Sequence, residues 1–396
     1  MDKVNVIQHM NEIRNILSYA TNIGFFFGAG TSCAFGLPNI MTLTSECRER
    51  LNETEKKLLD KVAKSVIDLS GKPQVSIEDM LNYIRQICEL TQGRKDYNFG
   101  GITGEEAANL DRKICEAVFT VIREKEEQAD IAELRKFVAW YDSANRHFLK
   151  EIYTTNYDML IEMALEANYT PYFDGFSGSY EPFFFPESIE SFPNEDDSTS
   201  KWIRLWKIHG SLNWMKKKQT PTSAERIVRI GKIDNPKDEL MIYPSKDKYN
   251  LSRKEPFIAY FDRLKQYLQK GELVFICTGY SFLDQHINDI LFNAMRQNKR
   301  LYVMVLCYTD EQVDMMSGYA TTYMNLCVMG PKKVITNGME KSWMYDDSVD
   351  ADVGYGLYWD KTKEEFLLGD FKKLIEILYL IFDYPHKHYT FKYFEV

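Results

Sequence analysis

Ile23-Gly24-Phe25-Phe26-Phe27 is an apolar run of strand length that breaks directly into Gly28-Ala29-Gly30-Thr31-Ser32. The run is too short for a buried helix. A buried strand that ends in Gly-x-Gly and opens a helix lets main-chain N–H groups come close to a phosphate. The third glycine of the usual dinucleotide fingerprint is absent, because Cys33 stands in its place. Taken alone, the segment also fits a glycine-bearing turn that holds nothing. Its weight therefore depends on what recurs along the chain.

Similar units do recur. Glu151 to Thr155 is strand-like and ends in Asn156-Tyr157-Asp158, with a helix expected over Met159 to Ala167. Trp202 to Lys207 runs into Ile208-His209-Gly210-Ser211. Leu273 to Thr278 ends in Gly279-Tyr280-Ser281, with a helix from about Asp284 to Asn298, and Leu301 to Cys307 is one more buried strand. Apolar strands alternating with helices predict an α/β fold, a doubly wound parallel (Rossmann-like) sheet with a helical insertion. Ligands of such sheets bind beyond the carboxyl ends of the strands, near the reversal in strand order. The four small or polar strand ends are therefore expected on one face.

The insertion is read from a change of period. Leu58, Leu59, Val62, Val66 and Ile67, then Leu81, Ile84, Ile87 and Cys88, then Ile114, Val118, Val121 and Ile122, then Leu134, Phe137, Val138 and Tyr141 follow helical spacing. The expected organisation is a nucleotide-binding core over 1–44 and 150–330, a helical insertion over 45–149, and a C-terminal extension over 331–396. An amphipathic helix is expected over 3–20, and Pro38 stops helix continuation after the glycine turn. Residues 171–200 read as loop or short strands with a solvated acidic run, Asn194-Glu195-Asp196-Asp197, and Lys216-Lys217-Lys218 reads as a solvated turn. Short strands over 226–243 and helices over 256–270 and Phe371 to Phe382 follow. The aromatic tail, Tyr384 to Val396, is expected to dock on its own domain or on a neighbouring subunit of a homo-oligomer.

A net charge of −9 offers no general attraction to nucleic-acid phosphates, so any such contact is expected to be indirect. The seven cysteines are odd in number and form no Cys-x-x-Cys pair, which speaks against a disulfide framework or zinc ribbon and for a reducing compartment. His386 and His388 lack partners at metal-ligand spacing, so no metal site is expected. The polar N-terminus and the absence of an apolar stretch near ~20 residues predict a cytoplasmic protein without a membrane span.

Gly28-Ala29-Gly30-x-Ser32 followed by Gly36-x-Pro38 resembles the NAD-binding loop of the sirtuin family, and Thr154-x-Asn156-x-Asp158, His209-Gly210 and Gly279-x-Ser281 follow in the family's order. The resemblance covers roughly residues 20–44 and 150–310. It implies NAD, as substrate, held at Gly28, Ala29, Gly30, Thr31, Ser32, Pro38, Gly279 and Ser281, with the pyrophosphate at the glycine turn. It further implies Asn156 and Asp158 at the nicotinamide ribose and carboxamide, and His209 at the ribose hydroxyls. The two Cys-x-x-Cys pairs of the deacylases are missing, and Asn39-Ile40 stands where the family has Phe-Arg. With its helical and C-terminal additions, the chain is similar to bacterial antiphage defence proteins that hydrolyse NAD. In length and plan it resembles the sirtuin-like partner of a HerA-type hexameric ATPase, which implies that ATPase as a partner.

The chemistry can be argued from the residues. Cleaving the nicotinamide–ribose bond expels a neutral base, so the leaving group needs no general acid and no glycosidase-like carboxylate pair is required. Asn156 can hold a ribose hydroxyl or water, His209 can take a proton near neutral pH, and Asp158 can accept from the carboxamide. The plainer readings are an Asx-turn and helix cap for Asn156 and Asp158, a core histidine for His209, and a helix start for Ser281 and Asp284. Asp284 is accordingly left outside the catalytic set, and His286 is read as packing. Three functions follow as expectations: an NAD glycohydrolase, an NAD-dependent protein deacylase, or a non-catalytic scaffold that binds NAD or ADP-ribose.

Overall fold

The computed structural model describes residues 2–143, 149–190, 200–217, 226–231, 240–242, 256–346 and 355–383. The acidic run 194–197, Lys218, His386, His388 and the tail 384–396 lie outside the described residues.

Strands β1 (Asp2–Asn5) and β2 (Ile23–Phe27) flank helix α1 (Val6–Tyr19). The helix expected over 3–20 thus begins at Val6. Asn5 ends the strand and caps the helix, its Oδ1 accepting from the Ile7 N–H at 2.8 Å. After the short helix α2 (Ala29–Cys33), the insertion supplies α3 (Ile40–Glu49), α4 (Glu53–Ser70), α5 (Ile77–Thr91), a two-residue hairpin β3 (Asn98–Phe99) and β4 (Ile102–Thr103), α6 (Gly104–Gln128) and α7 (Ala132–Ser143). Reciprocal capping boxes at Asn52/Glu55, Ser76/Asp79 and Thr103/Glu106 fix where three of these helices start. Gly71, at φ 66°, ends α4 in the left-handed conformation.

The chain then returns to strands: β5 (Glu151–Thr154), helix α8 (Leu160–Ala167), β6 (Tyr172–Phe173), β7 (Phe176–Ser177), β8 (Phe183–Phe184), β9 (Ile203–Lys207), β10 (Gly210–Lys217), β11 (Arg226–Arg229) and β12 (Leu240–Ile242). Beyond them come β13 (Leu273–Thr278), β14 (Leu301–Leu306), β15 (Leu326–Met329), β16 (Lys333–Thr336) and β17 (Met339–Met344). The main sheet runs β1-β17-β16-β15-β14-β13-β2-β5-β9-β6. Its centre, β9-β5-β2-β13-β14-β15, is parallel throughout. In order of appearance those six strands are arranged 3-2-1-4-5-6, the order of dinucleotide-binding sheets, with the reversal between β2 and β13. Beyond residue 330, β16 and β17 continue the same sheet antiparallel, and β1 closes the edge against β17.

Alternation along β2 covers both faces of the sheet. Phe25 meets Phe137 and Tyr141 of α7 edge-on, with centroids at 5.0 and 5.1 Å, and Phe27 meets Phe371 of the helix Phe371–Asp383 at 4.9 Å. Phe26 points the other way, toward Phe275 and Tyr280. A second, antiparallel sheet, β12-β10-β11-β8-β7, packs its Trp214 between its own Phe176 and Tyr260 of the helix Phe257–Gln269. Lys217 therefore ends a strand rather than forming a turn, and it pairs with Glu181. Among the described residues no helix is long and apolar enough to cross a membrane.

Candidate active site at the carboxyl edge of the sheet

Parallel register brings the four strand ends side by side. Phe27 pairs with Thr278 on one side and with Thr154 on the other, and Thr154 pairs with Lys207. The pairing continues past the strands: Gly28 N donates to Thr278 O (3.0 Å), Thr155 N to Phe27 O (3.1 Å), and Ile208 N to Thr154 O (2.9 Å). Asn156 and His209 each stand two residues beyond a paired position on adjacent strands, and Leu212 N donates to Tyr157 O (2.9 Å) to hold their loops together.

The glycines answer to loop packing. A Cβ on Gly28 would lie 2.4 Å from both Gly279 O and Tyr280 Cα, and one on Gly30 would lie 2.7 Å from Gly279 Cα. Gly279 itself sits at φ 64°. The N–H groups of Gly28, Gly30 and Thr31 donate to the carbonyls of Thr278, Gly279 and Gly28. The sequence reading offered such amides to a phosphate; in the fold these three are already engaged, because the first and fourth core strands must bring their loops together at the reversal. Ala29 and Gly30 nevertheless face solvent, so the outer rim of the turn is open. Gly28→Ala is expected to destabilise the fold by about 1–3 kcal/mol, the usual cost of overpacking where backbone cannot yield. An unchanged urea midpoint would contradict this.

Asn156 does not make the Asx-turn of the plainer reading. Its Nδ2 points into the glycine turn and shares its two hydrogens among Gly28 O (3.0 Å), Thr31 Oγ1 (3.0 Å) and Ser32 Oγ (2.8 Å). Ser32 Oγ donates in turn to Asp158 Oδ2 at 2.6 Å, and Thr31 Oγ1 donates to Gly28 O at 2.8 Å. Asp158 also serves the helix that follows, since its Oδ1 accepts from Leu160 N at 3.2 Å. Thr31, Ser32, Asn156 and Asp158 are all buried. Asn156 Oδ1 makes no hydrogen bond among the described residues, so the staple leaves one acceptor unspent. His209 places Nε2 3.0 Å from Asp284 Oδ2. Pro38 is half-buried ahead of the Asn39 cap of α3 and Ser281 is exposed; neither enters this network.

Two residues outside the candidate set lie against it. Asp284, which caps the helix Gln285–Gln297, carries no local mark of a histidine partner 75 positions away. Glu126 of α6 is 1 % exposed, accepts from Met159 N at 2.6 Å, and pairs with Arg123 at 3.2 Å. Nothing in an amphipathic helix announces that contact. Burial, reinforced by the negative charge of Asp158, pushes the Glu126 carboxyl up to about 7. The native state therefore binds a proton at Glu126 that the unfolded chain has released between roughly pH 4.5 and 7, so this group's contribution to stability falls as pH rises through that window. Glu126→Gln is expected to remove that slope, gaining on the parent chain between pH 5 and pH 8 by an amount on the order of 1–3 kcal/mol. Parallel stability–pH curves for the two chains would refute it.

Behind the site Lys207 spends its three protons. Lys207 Nζ, in a side chain that is 3 % exposed, donates to Asp158 O (2.5 Å), Glu162 Oε1 (2.8 Å) and Ser211 Oγ (2.8 Å). This fixes the carbonyl side of the Asn156–Asp158 loop. The described residues contain no cluster of three His, Cys, Asp or Glu side chains able to hold a metal, and all seven cysteines are free thiols.

Among solved structures, the fold is similar to a Sir2 homologue in complex with NAD, at 12% identity, covering 83% of this chain and 91% of that one with a TM-score of 0.37. It is also similar to a single-site mutant of a Sir2 homologue in complex with ADP-ribose, at 13% identity, covering 76% and 87% with a TM-score of 0.38. No curated protein matches. Residues 150–323, the stretch that holds Asn156, Asp158, His209, Gly279, Ser281 and Asp284, match the family of SIR2-like domains.

Proposed function

We propose that this crevice binds NAD and hydrolyses its nicotinamide–ribose bond, releasing nicotinamide and ADP-ribose. The observation that carries the reading is Asn156. Three bonds pin its carboxamide to the glycine turn while Oδ1 is left to accept, and His209 stands on the adjacent strand end. The SIR2-like match over residues 150–323 supports the same chemistry. Asn156 Oδ1 would accept from a ribose hydroxyl and hold the sugar in a reactive orientation. Water then forms the new C1′–O bond as the C1′–N bond breaks, its electron pair leaving on neutral nicotinamide. His209 takes the proton the water gives up, a contribution on the order of 10²–10⁴-fold. Gly28, Ala29, Gly30, Thr31 and Ser32, with Gly279 and Ser281 across the reversal, form the wall against the pyrophosphate.

Uncontrolled hydrolysis would exhaust NAD, so we assign activity to an assembled state, a homo-oligomer joined to a HerA-type ATPase in antiphage defence. The test is to incubate the purified chain with NAD, alone and with that ATPase, and to quantify nicotinamide. Release above the Asn156→Ala and His209→Ala backgrounds is expected. Release only when an acyl-lysine peptide is added would make it a deacylase, and tight binding with NAD recovered intact would make it a scaffold. Either result overturns the hydrolase.

A further inference from the structure

We propose that Asp284 is the positioning residue of His209, fixing the proton on Nε2 so that Nδ1 is the nitrogen that accepts; this rests on reading the crevice as an NAD hydrolase. The carboxylate is well placed to do so. Its Oδ2 lies 3.0 Å from His209 Nε2, in side chains 13% and 3% exposed. Its Oδ1 accepts from the His286 N–H at 3.1 Å and so caps the helix Gln285–Gln297. Capping needs one oxygen, and the second is directed at a ring from a distant segment. The Asp284 main chain is fixed as well, since its carbonyl accepts from Asn288 N (3.0 Å) and from Tyr280 OH (3.3 Å). A rigid acceptor in a poorly solvated setting holds an imidazole more firmly than water would.

Topology adds a second reason. His209 follows β9 and Asp284 follows β13, and β5 and β2 lie between those strands in the sheet. At about 4.8 Å per strand their bases are some ~14 Å apart. The contact thus joins the loops on the two sides of the glycine turn and the Asn156 loop. A carboxylate that accepts from Nε2–H sets the tautomer of the neutral ring and steadies the imidazolium formed when a proton arrives, as in hydrolases that pair an aspartate with a histidine base.

The test uses the full chain with nitrogen-15 histidine, Asp284→Asn, Asp284→Ala, His209→Ala, and the Asp284→Ala/His209→Ala double variant. The resonance lost in His209→Ala assigns the ring. The Nε2–H tautomer is expected to dominate in the parent chain. In Asp284→Asn, whose amide oxygen still caps the helix while its amine can donate to the ring, the population should move to Nδ1–H. Under saturating NAD, kcat should fall about 10–100-fold in both single Asp284 variants with KM within about 3-fold, no more than the low end of what proton transfer itself contributes. The double variant should be no slower than His209→Ala. An unchanged tautomer in Asp284→Asn, an effect on KM alone, or losses that multiply in the double variant would each overturn the assignment. If the parent chain leaves NAD intact, the hydrolase reading fails, while the tautomer still decides the role of Asp284.

Discussion

Asn156→Ala is expected to lower nicotinamide release by about 10²–10³-fold, the usual cost of removing one preorganised polar group from a reacting centre. Two losses combine in that figure. Oδ1 no longer orients the ribose, and the glycine turn loses the donor that serves Gly28 O, Thr31 Oγ1 and Ser32 Oγ. The second loss leaves buried acceptors underused and should also reduce stability by about 1–3 kcal/mol. Calorimetry separates the two effects. Binding of NAD within about tenfold of the parent chain, with turnover gone, marks a defect in the reacting geometry. Turnover within threefold of the parent would remove Asn156 from the mechanism.

The largest expected effect on stability lies away from the site. Glu151 opens β5 with no exposed side-chain surface, and Arg263, 1% exposed, answers it from the helix Phe257–Gln269. Arg263 Nε lies 3.1 Å from Glu151 Oε1, Trp206 Nε1 donates to Oε2 at 2.7 Å, and Tyr153 OH donates to the same oxygen at 2.5 Å. Arg263→Ala would strand a carboxylate in the core beneath the strand that carries Asn156, and a loss of about 3–5 kcal/mol is expected. Replacing both members with leucine should recover only part of that, because it removes the unpaired charge but leaves Trp206 Nε1–H and Tyr153 O–H without their acceptor. A shift below about 1 kcal/mol in urea unfolding of Arg263→Ala would show that water reaches the pair.

Much of this architecture was legible because it is written locally. Apolar runs of strand length, ended by glycine, asparagine or histidine, marked β2, β5, β9 and β13, and a change to helical spacing marked the insertion. Neighbouring residues carry those signals. What stayed hidden depends on partners remote in the chain. Lys3, Val4 and Asn5 read as the start of a helix until Met339–Met344 offers them an edge. Lys217 reads as a solvated turn until β11 pairs with its strand. Gly28 and Gly30 stand out in sequence as the glycines of a turn, and the fold adds a packing reason for them that the sequence does not carry, since their missing side chains admit the backbone of Gly279 and Tyr280. Asp284 and Glu126 are ordinary helix residues in sequence, and only the sheet brings one to His209 and the other to Met159.

The most direct measurement is a crystal structure of the chain with ADP-ribose. The account predicts the pyrophosphate along the open rim at Ala29 and Gly30, and the distal ribose between Asn156 Oδ1 and His209. Clear density for the ligand elsewhere on the molecule, or a ribose that reaches neither residue, would contradict it.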